Sequence, residues 1–228
     1  MSSRISPSGK LRVGVLQFPG SNCDADCVDT LKRHFEINAV RVWHQEASLP
    51  GLDAIIIPGG FSFGDYLRSG ALAAHAPIMR DVKQFASRGG SVLGICNGFQ
   101  ILVESQMLPG ALLHNTSLSF VCKTVHLREA NGTVLKMPIA HGEGRYWIDE
   151  RGLADMEDSG LIAYQYSNPL GSISLDFNPN GSAANIAGVM SHNKKILGMM
   201  PHPERATDVV MGGSDDGLTV WRSFLGRI

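Results

Sequence analysis

The stretch "SVLGICNGFQILVE", residues 91–104, decides the fold, because a single cysteine joins an apolar run to a helix-like pattern. Cys96 lies between Gly94 and Gly98, in the G-x-nucleophile-x-G spacing of a sharp strand-to-helix turn. Such a turn lifts the central side chain above the sheet, and the N-terminal end of the following helix favours its thiolate. The sequence predicts a nucleophilic cysteine here. The alternative is a small residue packed at a strand end, with glycines that serve the turn alone.

Upstream of this turn, short apolar segments alternate with amphipathic ones. Such alternation is typical of a parallel sheet covered by helices on both faces. The predicted strands are residues 11–18, 39–44, 53–58 and 91–96, with helices capped by Asn22 and opened by Pro77. Beyond residue 110 the segments become short β-like pieces, followed by a returning core strand at 195–200 and a closing helix at 217–225.

Bulk properties are those of an ordinary globular protein. Of its 228 residues, 43% are hydrophobic and 18% charged, and the formal net charge is -1. This balance gives no indication of a nucleic-acid or membrane partner. The polar residues 1–10 lack the apolar centre of a signal peptide, and we expect a flexible tail there, followed by one domain over 11–228. The expected location is the cytoplasm.

The remaining cysteines are Cys23, Cys27 and Cys122. Cys23 and Cys27 are four residues apart, so on a helix they share a face. No CxxC pair or nearby histidine pair completes a metal site, so we expect core packing and no metal in this chain.

A second candidate segment is "GMMPHPER", residues 198–205, which directly follows the returning strand. Prolines on either side of His202 favour extended backbone, in which residues two apart point to the same side. Glu204 is therefore expected to orient the imidazole of His202. Because sites in parallel sheets collect at the carboxyl ends of strands, His202 and Cys96 are expected to meet. A rigid surface loop with an incidental ion pair is the alternative.

A third segment begins with Gly59 and Gly60, after the strand 53–58. A backbone N–H there and the N–H of Asn97, one residue after the cysteine, are expected to form an oxyanion hole. In known enzymes the loss of one such donor costs about 10²–10³ in rate.

Taken together, these segments resemble the class I glutamine amidotransferases. The similar motifs span nearly the whole chain: "FPGSNCD" (18–24), "PGGFSFGDYLRSGALA" (58–73), "GICNGFQIL" (94–102), "LPGALLHN" (108–115), "AHGEGRY" (140–146) and "MPHPERA" (200–206). The resemblance implies a three-layer, flavodoxin-like α/β fold with a mainly parallel central sheet and extra short β elements in the second half.

Carried over position by position, the resemblance implies a triad of Cys96 as nucleophile, His202 as base and Glu204 as its orienter. The oxyanion donors of the family fall on Gly60 and Asn97. Gln100 matches the glutamine that contacts the amino-acid end of the substrate. His141 and Glu143 lie in a family-like segment without an assigned role.

Among these amidotransferases, the chain is most similar to glutaminase subunits that serve the amidation of formylglycinamide ribonucleotide in purine biosynthesis. The resemblance implies glutamine as substrate, a large synthetase subunit as partner and, in some systems, a small bridging subunit. The chain has neither a G-x-x-x-x-G-K-[ST] nor a helix-opening G-x-G-x-x-G motif. We therefore expect no cofactor in this chain, with ATP and magnesium on the partner.

Two other enzymatic functions compete with this one, and a catalytically silent interaction protein is a third alternative, against which the complete predicted triad argues. The first is an amidotransferase subunit of another pathway, against which the long segment 58–73 argues. The second is a stand-alone flavodoxin-like cysteine hydrolase, against which the paired His202 and Glu204 argue.

Overall fold

The computed structural model describes residues 11–46, 48–49 and 51–228, so the predicted N-terminal tail lies outside the described residues. A nine-stranded sheet runs through this part of the chain in the order β2-β1-β3-β4-β11-β10-β9-β6-β7, and β5 pairs with β8 in a separate ribbon. The strands are β1 (Arg12–Gln17), β2 (Asn38–Trp43), β3 (Ala54–Ile57), β4 (Ser91–Ile95), β5 (Ala111–Leu113), β6 (Val121–Glu129), β7 (Val134–His141), β8 (Arg145–Trp147), β9 (Ile162–Ser167), β10 (Ile186–Met190) and β11 (Ile196–Met199). The helices are α1 (Asp24–Phe35), α2 (Ala71–Ala74), α3 (Pro77–Ser87), α4 (Asn97–Glu104), α5 (Glu150–Asp158), α6 (Val209–Gly212) and α7 (Gly217–Leu225).

The half of the sheet formed by β2, β1, β3, β4 and β11 is parallel, which agrees with the predicted α/β fold. Every residue of β3, β4 and β11 is buried. Burial on both faces explains why these strands are continuous apolar runs in the sequence. Cys96 directly follows β4, and the segment of His202 follows the neighbouring β11, so parallel pairing brings both to one edge of the sheet.

The other half of the sheet, β10-β9-β6-β7, is antiparallel and contains most of the predicted short β pieces. Its last strand, β7, contacts the segment that contains His202. The backbone N–H of His202 donates to the carbonyl of Pro138 in β7 at 2.9 Å. The second half of the chain therefore contributes one wall of the region around the predicted triad.

The helix termini agree with the sequence at one position and differ at another. Pro77 begins α3, as predicted. The expected cap of α1 by Asn22 is wrong, because Cys23 occupies the capping position and provides no side-chain cap. The side chain of Asn22 instead accepts a hydrogen bond from the thiol of Cys23. No helix in the described ranges is long and apolar enough to cross a membrane.

Candidate active site

The backbone of Cys96 has φ 50° and ψ -105°, a conformation that residues other than glycine rarely adopt. Close packing around the turn enforces it. A β-carbon on Gly98 would lie 1.9 Å from the carbonyl oxygen of Ile57, and one on Gly94 would lie 2.6 Å from that of Gly98. Glycine is therefore required at both flanking positions, as the predicted elbow needs.

The thiol of Cys96 is 5% exposed and lies at the N-terminal end of α4. Its sulfur is 3.6 Å from the carbonyl oxygen of Ala140 at the end of β7. The sulfur thus lies at the helix end that carries the unpaired N–H groups and the positive end of the helix dipole.

His202 and Glu204 form the pair that the sequence predicts, with Nδ1 of the imidazole donating to Oε1 of the carboxylate at 2.6 Å. Both side chains are almost completely buried, at 3% and 0% exposure. The expected extended backbone is wrong, because residues Pro203–Arg205 form a 3-10 helical turn. The turn still brings the two side chains together, since its tight winding places them within direct contact.

Opposing effects set the protonation of His202. Burial alone would lower the pKa of the imidazole, but the Glu204 carboxylate, and after it the charge of Cys96, raise that pKa well above its ordinary value of 6.5. With Nδ1 bound to Glu204, Nε2 remains for the sulfur of Cys96. Among the described residues, Nε2 has no hydrogen-bond partner of standard geometry. The imidazole is thus oriented through Nδ1, and its Nε2 is available for proton transfer.

The two predicted oxyanion donors are the N–H of Gly60, in the loop after β3, and the N–H of Asn97, directly after Cys96. Gly60 has φ 150°, and a β-carbon there would lie 2.7 Å from the carbonyl oxygen of Gly20. The N–H of Gly60 donates to no acceptor in the described ranges of the chain. The N–H of Asn97 is the first of α4 and therefore has no acceptor within the helix. The side chain of Asn97 connects the two loops by accepting from the N–H of Ser62 at 3.2 Å.

Gln100 lies one turn along α4 and is 5% exposed. Its amide nitrogen donates to the carbonyl of Glu143 at 2.7 Å, and its amide oxygen accepts from the side chain of Asn97 at 2.9 Å. The side chain is therefore engaged with the protein at both ends. Each end of the amide keeps one further hydrogen-bonding position, an N–H and a lone pair, for contact with a substrate.

His141 and Glu143 flank the same site. Nδ1 of His141 lies 3.1 Å from the side-chain oxygen of Asn115, and burial, followed by the charge of His202, lowers the pKa of His141 to about 4. His141 is therefore neutral at neutral pH. The carboxylate of Glu143 accepts from the N–H of Ser69 at 3.1 Å, which ties the loop after β3 to the segment after β7.

Two residues near the site were not singled out from the sequence for this position. Cys23, expected to serve core packing, lies with its sulfur 3.9 Å from Nδ1 of His202. Tyr166 on β9 is fully buried, and its hydroxyl has no hydrogen-bond partner among the described residues. Burial, and then the charge of Cys96, raise the pKa of this hydroxyl. Cys23 approaches His202, and Tyr166 approaches Cys96, from segments far away in the sequence, so no local motif predicts either relationship.

A strained, buried cysteine at a helix N-terminus beside a histidine–carboxylate pair is an arrangement typical of cysteine-dependent enzymes. Comparison with known proteins identifies the class. Residues 10–214 match the family model described as a CobB/CobQ-like glutamine amidotransferase domain. The chain belongs to this glutamine amidotransferase family.

Curated relatives place the chain more narrowly. It is 47% identical to the phosphoribosylformylglycinamidine synthase subunit PurQ of Salinibacter ruber, over 95% of this chain and 97% of that protein. It is 50% identical to the PurQ subunit of Thermus thermophilus, over 90% of this chain and 94% of that protein.

Among solved structures, PurLQS from Thermotoga maritima includes a similar chain, with a TM-score of 0.83 and 38% identity. That match covers 95% of this chain and 98% of the other. The resemblance to PurQ subunits that the motifs predicted is therefore confirmed.

Proposed function

We propose that this chain is the glutaminase subunit of phosphoribosylformylglycinamidine synthase. It hydrolyses glutamine to glutamate and ammonia, and the ammonia goes to an ATP-dependent synthetase subunit that converts formylglycinamide ribonucleotide to formylglycinamidine ribonucleotide. The observation that carries the proposal is the meeting of the strained Cys96 turn with the His202–Glu204 pair at one sheet edge, in a chain about half identical to PurQ subunits.

In the first step, the thiolate of Cys96 attacks the side-chain amide carbon of glutamine. The carbon–sulfur bond forms while the carbonyl π electrons move onto oxygen, and the N–H groups of Gly60 and Asn97 stabilise the resulting oxyanion. When the carbonyl re-forms, the carbon–nitrogen bond breaks. The leaving nitrogen takes a proton from Nε2 of His202 and departs as ammonia.

In the second step, water hydrolyses the γ-glutamyl thioester. Nε2 of His202, now unprotonated, accepts a proton from the water as its oxygen attacks the thioester carbon. Collapse of the second oxyanion breaks the carbon–sulfur bond, releases glutamate and returns the thiolate–imidazolium pair. Glu204 holds Nδ1 throughout and thereby fixes the orientation of the ring.

Gln100 is proposed to contact the amino-acid end of the substrate. Its position one turn above the thiol supports this role, and its present partners, Asn97 and the carbonyl of Glu143, keep the amide in a defined orientation. These bonds already order the side chain, so substrate binding does not have to immobilise a free one, which lowers the entropic cost of binding.

An exposed apolar surface beside the site supports docking of the synthetase subunit. The rings of Phe61 and Phe120 stack with centroids 6.4 Å apart, and each is about half exposed. Tyr66, Leu67 and Leu118 nearby along the chain are more exposed still. Contiguous exposed apolar groups of this kind mark protein interfaces. ATP and magnesium belong to the synthetase in this proposal, and a small third subunit bridges the two.

The direct test is the variant Cys96→Ala in the assembled synthase. It is expected to abolish glutamine-dependent product formation and to leave ammonia-dependent formation intact. Cys122→Ala, which removes an exposed thiol, is the matched control and is expected to keep both activities. Glutamine-dependent activity in the Cys96 variant would contradict the assigned nucleophile. A chain that fails to support product formation by any synthetase subunit would contradict the assigned pathway.

A further inference from the structure

Cys23 lies on the Nδ1 side of the imidazole of His202, where Glu204 also binds. Its sulfur is 2% exposed and lies 3.9 Å from Nδ1. Cys23 and His202 both pack against Gly59, where a β-carbon would lie 2.8 Å from Cε1 of the ring and 3.1 Å from the sulfur. The backbone N–H of Cys23 also donates to the carbonyl of Gly59. The position of this sulfur is therefore fixed by the same loop that carries the proposed oxyanion donor.

The sulfur of Cys23 has a donor on one side and an acceptor on the other. Its thiol donates to the side-chain oxygen of Asn22 at 3.1 Å, and it accepts from a terminal nitrogen of Arg205 at 3.2 Å. Burial raises the pKa of this thiol above its ordinary value, although His202 and Arg205 act in the opposite direction. Cys23 is thus a neutral thiol at neutral pH, unsuited to act as a second nucleophile or as a thiolate ligand.

Arg205 is a cation that could compete with His202 for the carboxylate of Glu204. Oε1 of Glu204 is bound to His202, but Oε2 is buried without a hydrogen-bond partner among the described residues. A guanidinium that reaches a carboxylate forms strong, two-pronged hydrogen bonds. Arg205 instead donates to Cys23 and, at 3.4 Å, to the carboxylate of Asp26. Asp26 and Cys23 together hold it outside the pair.

We propose that Cys23 is a positioning residue for His202. Its sulfur occupies the space between the imidazole and the guanidinium of Arg205, accepts the N–H that would otherwise turn to Glu204, and so reserves that carboxylate for Nδ1. This inference rests on the proposed glutaminase function, because it assigns a role within the same site.

The expected signature is a change in the protonation of the imidazole. Without the sulfur, Arg205 competes for Glu204, the carboxylate supports the imidazolium less, and the alkaline limit of activity moves to lower pH. Several charged or titratable groups surround the imidazole of His202. They are Glu204 and Arg205 of its own segment, Cys96 after β4, Cys23 before α1 and His141 at the end of β7.

The test is glutaminase activity of the assembled synthase as a function of pH. Cys23→Ala is expected to lower kcat by about tenfold to a hundredfold, as expected for a misplaced catalytic group. The alkaline limb should move down by about one pH unit, which is the size of effect that a neighbouring charge exerts. KM for glutamine should change less than about twofold, a shift too small to represent lost substrate binding.

Two further variants separate positioning from simple packing. Cys23→Ser keeps a small group that both donates and accepts, and it is expected to restore kcat and the alkaline limb. Cys23→Ala combined with Arg205→Met removes the competing cation, and it is expected to recover most of kcat. A loss in Cys23→Ala that the second substitution does not relieve would assign the effect to packing and overturn the proposal.

Cys23→Val covers the case in which Cys23→Ala fails to fold, since it fills the space without accepting the N–H. It is expected to move the alkaline limb in the same direction, and an unmoved limb would overturn the proposal. The proposed function is judged separately, by wild-type activity and its loss in Cys96→Ala. Wild-type-like kinetics in Cys23→Ala would defeat the role of Cys23 alone.

Discussion

Nδ1 of His202 and Oε1 of Glu204 are 2.6 Å apart, and both side chains are almost completely buried. A buried carboxylate without a cationic partner is costly, so this pair stabilises the imidazolium as much as it orients the ring. The chemistry proposed for Cys96 depends on this relationship, because a thiolate next to a charged imidazole is more stable than one next to a neutral ring.

Glu204→Gln tests the electrostatic part of that relationship. The amide keeps the shape but loses the charge that raises the pKa of His202, so the alkaline limb of kcat should move to lower pH. We expect kcat to fall by about 10²–10⁴, the usual contribution of a positioned acid–base group. The pH profile of glutaminase activity measures both effects. Glu157→Gln, on an exposed face of α5, is the control, and equal profiles for the two variants would refute the role of Glu204.

His141 predicts how stability depends on pH. Its pKa is about 4 in the folded protein and about 6.5 when unfolded, so the unfolded chain binds more protons between these values and stability falls as pH decreases through that window. Across the whole window, protonation of His141 lowers the free energy of unfolding by about 3 kcal/mol. His141→Asn should therefore lose less stability between pH 7 and pH 4.5 than the wild type, as measured by urea unfolding.

His202 acts in the opposite direction and at higher pH. Its folded pKa is raised, so its contribution is complete below about pH 6.5 and is lost as pH rises through the folded value. The two histidines therefore titrate in separate pH windows.

His34→Asn, at an exposed position of α1, provides the control for the His141 measurement. Identical slopes for the wild type and both variants would show that His141 is not a buried neutral base.

Gly98→Ala tests whether close packing enforces the Cys96 turn. The added methyl group would meet the carbonyl oxygen of Ile57 at 1.9 Å, a contact that forces α4 away from β3. We expect the free energy of unfolding to fall by about 3 kcal/mol or more. Gly226→Ala, whose nearest contact is 3.3 Å, should change stability far less in the same chemical-denaturation experiment. Equal stability of the two variants would show that the turn tolerates a larger spacing.

The isolated chain should be a poor glutaminase that the synthetase activates. Gln100 is held by Asn97 and by the carbonyl of Glu143, and the exposed rings of Phe61 and Phe120 border the same region. Partner binding at this border is expected to shift these contacts and raise kcat/KM for glutamine. Glutamate release with and without the synthetase subunit measures the effect. Full activity of the chain alone would contradict such gating.

The sequence predicts the strands and most helices well where local physics decides them, while the assignment of the site residues stays a prediction. The continuous apolar runs of β3 and β4 are typical of a parallel sheet buried on both faces, and the two glycines around Cys96 indicate a turn without room for side chains. The roles predicted for His202 and Glu204 come from the motif resemblance, and the structure places the two side chains in contact. The extended backbone that the sequence predicts for this segment is wrong, since Pro203 opens a 3-10 turn.

What the sequence did not predict depends on contacts between distant segments. Asn22 has the side chain of a helix cap, but the thiol of Cys23 takes its oxygen instead. Cys23 looked like a core residue because its neighbour His202 is 179 positions away along the chain. Tyr166 likewise approaches Cys96 only because β9 lies in the half of the sheet that returns to the site.

The most direct test of the account is to trap the covalent intermediate on Cys96. The assembled synthase is mixed with glutamine, quenched rapidly in acid, digested and analysed by mass spectrometry. We predict a γ-glutamyl adduct on the peptide that contains Cys96, at higher occupancy in Glu204→Gln, where the weakened base slows hydrolysis. An adduct on another residue, or glutamine turnover that persists in Cys96→Ala, would contradict the central claim.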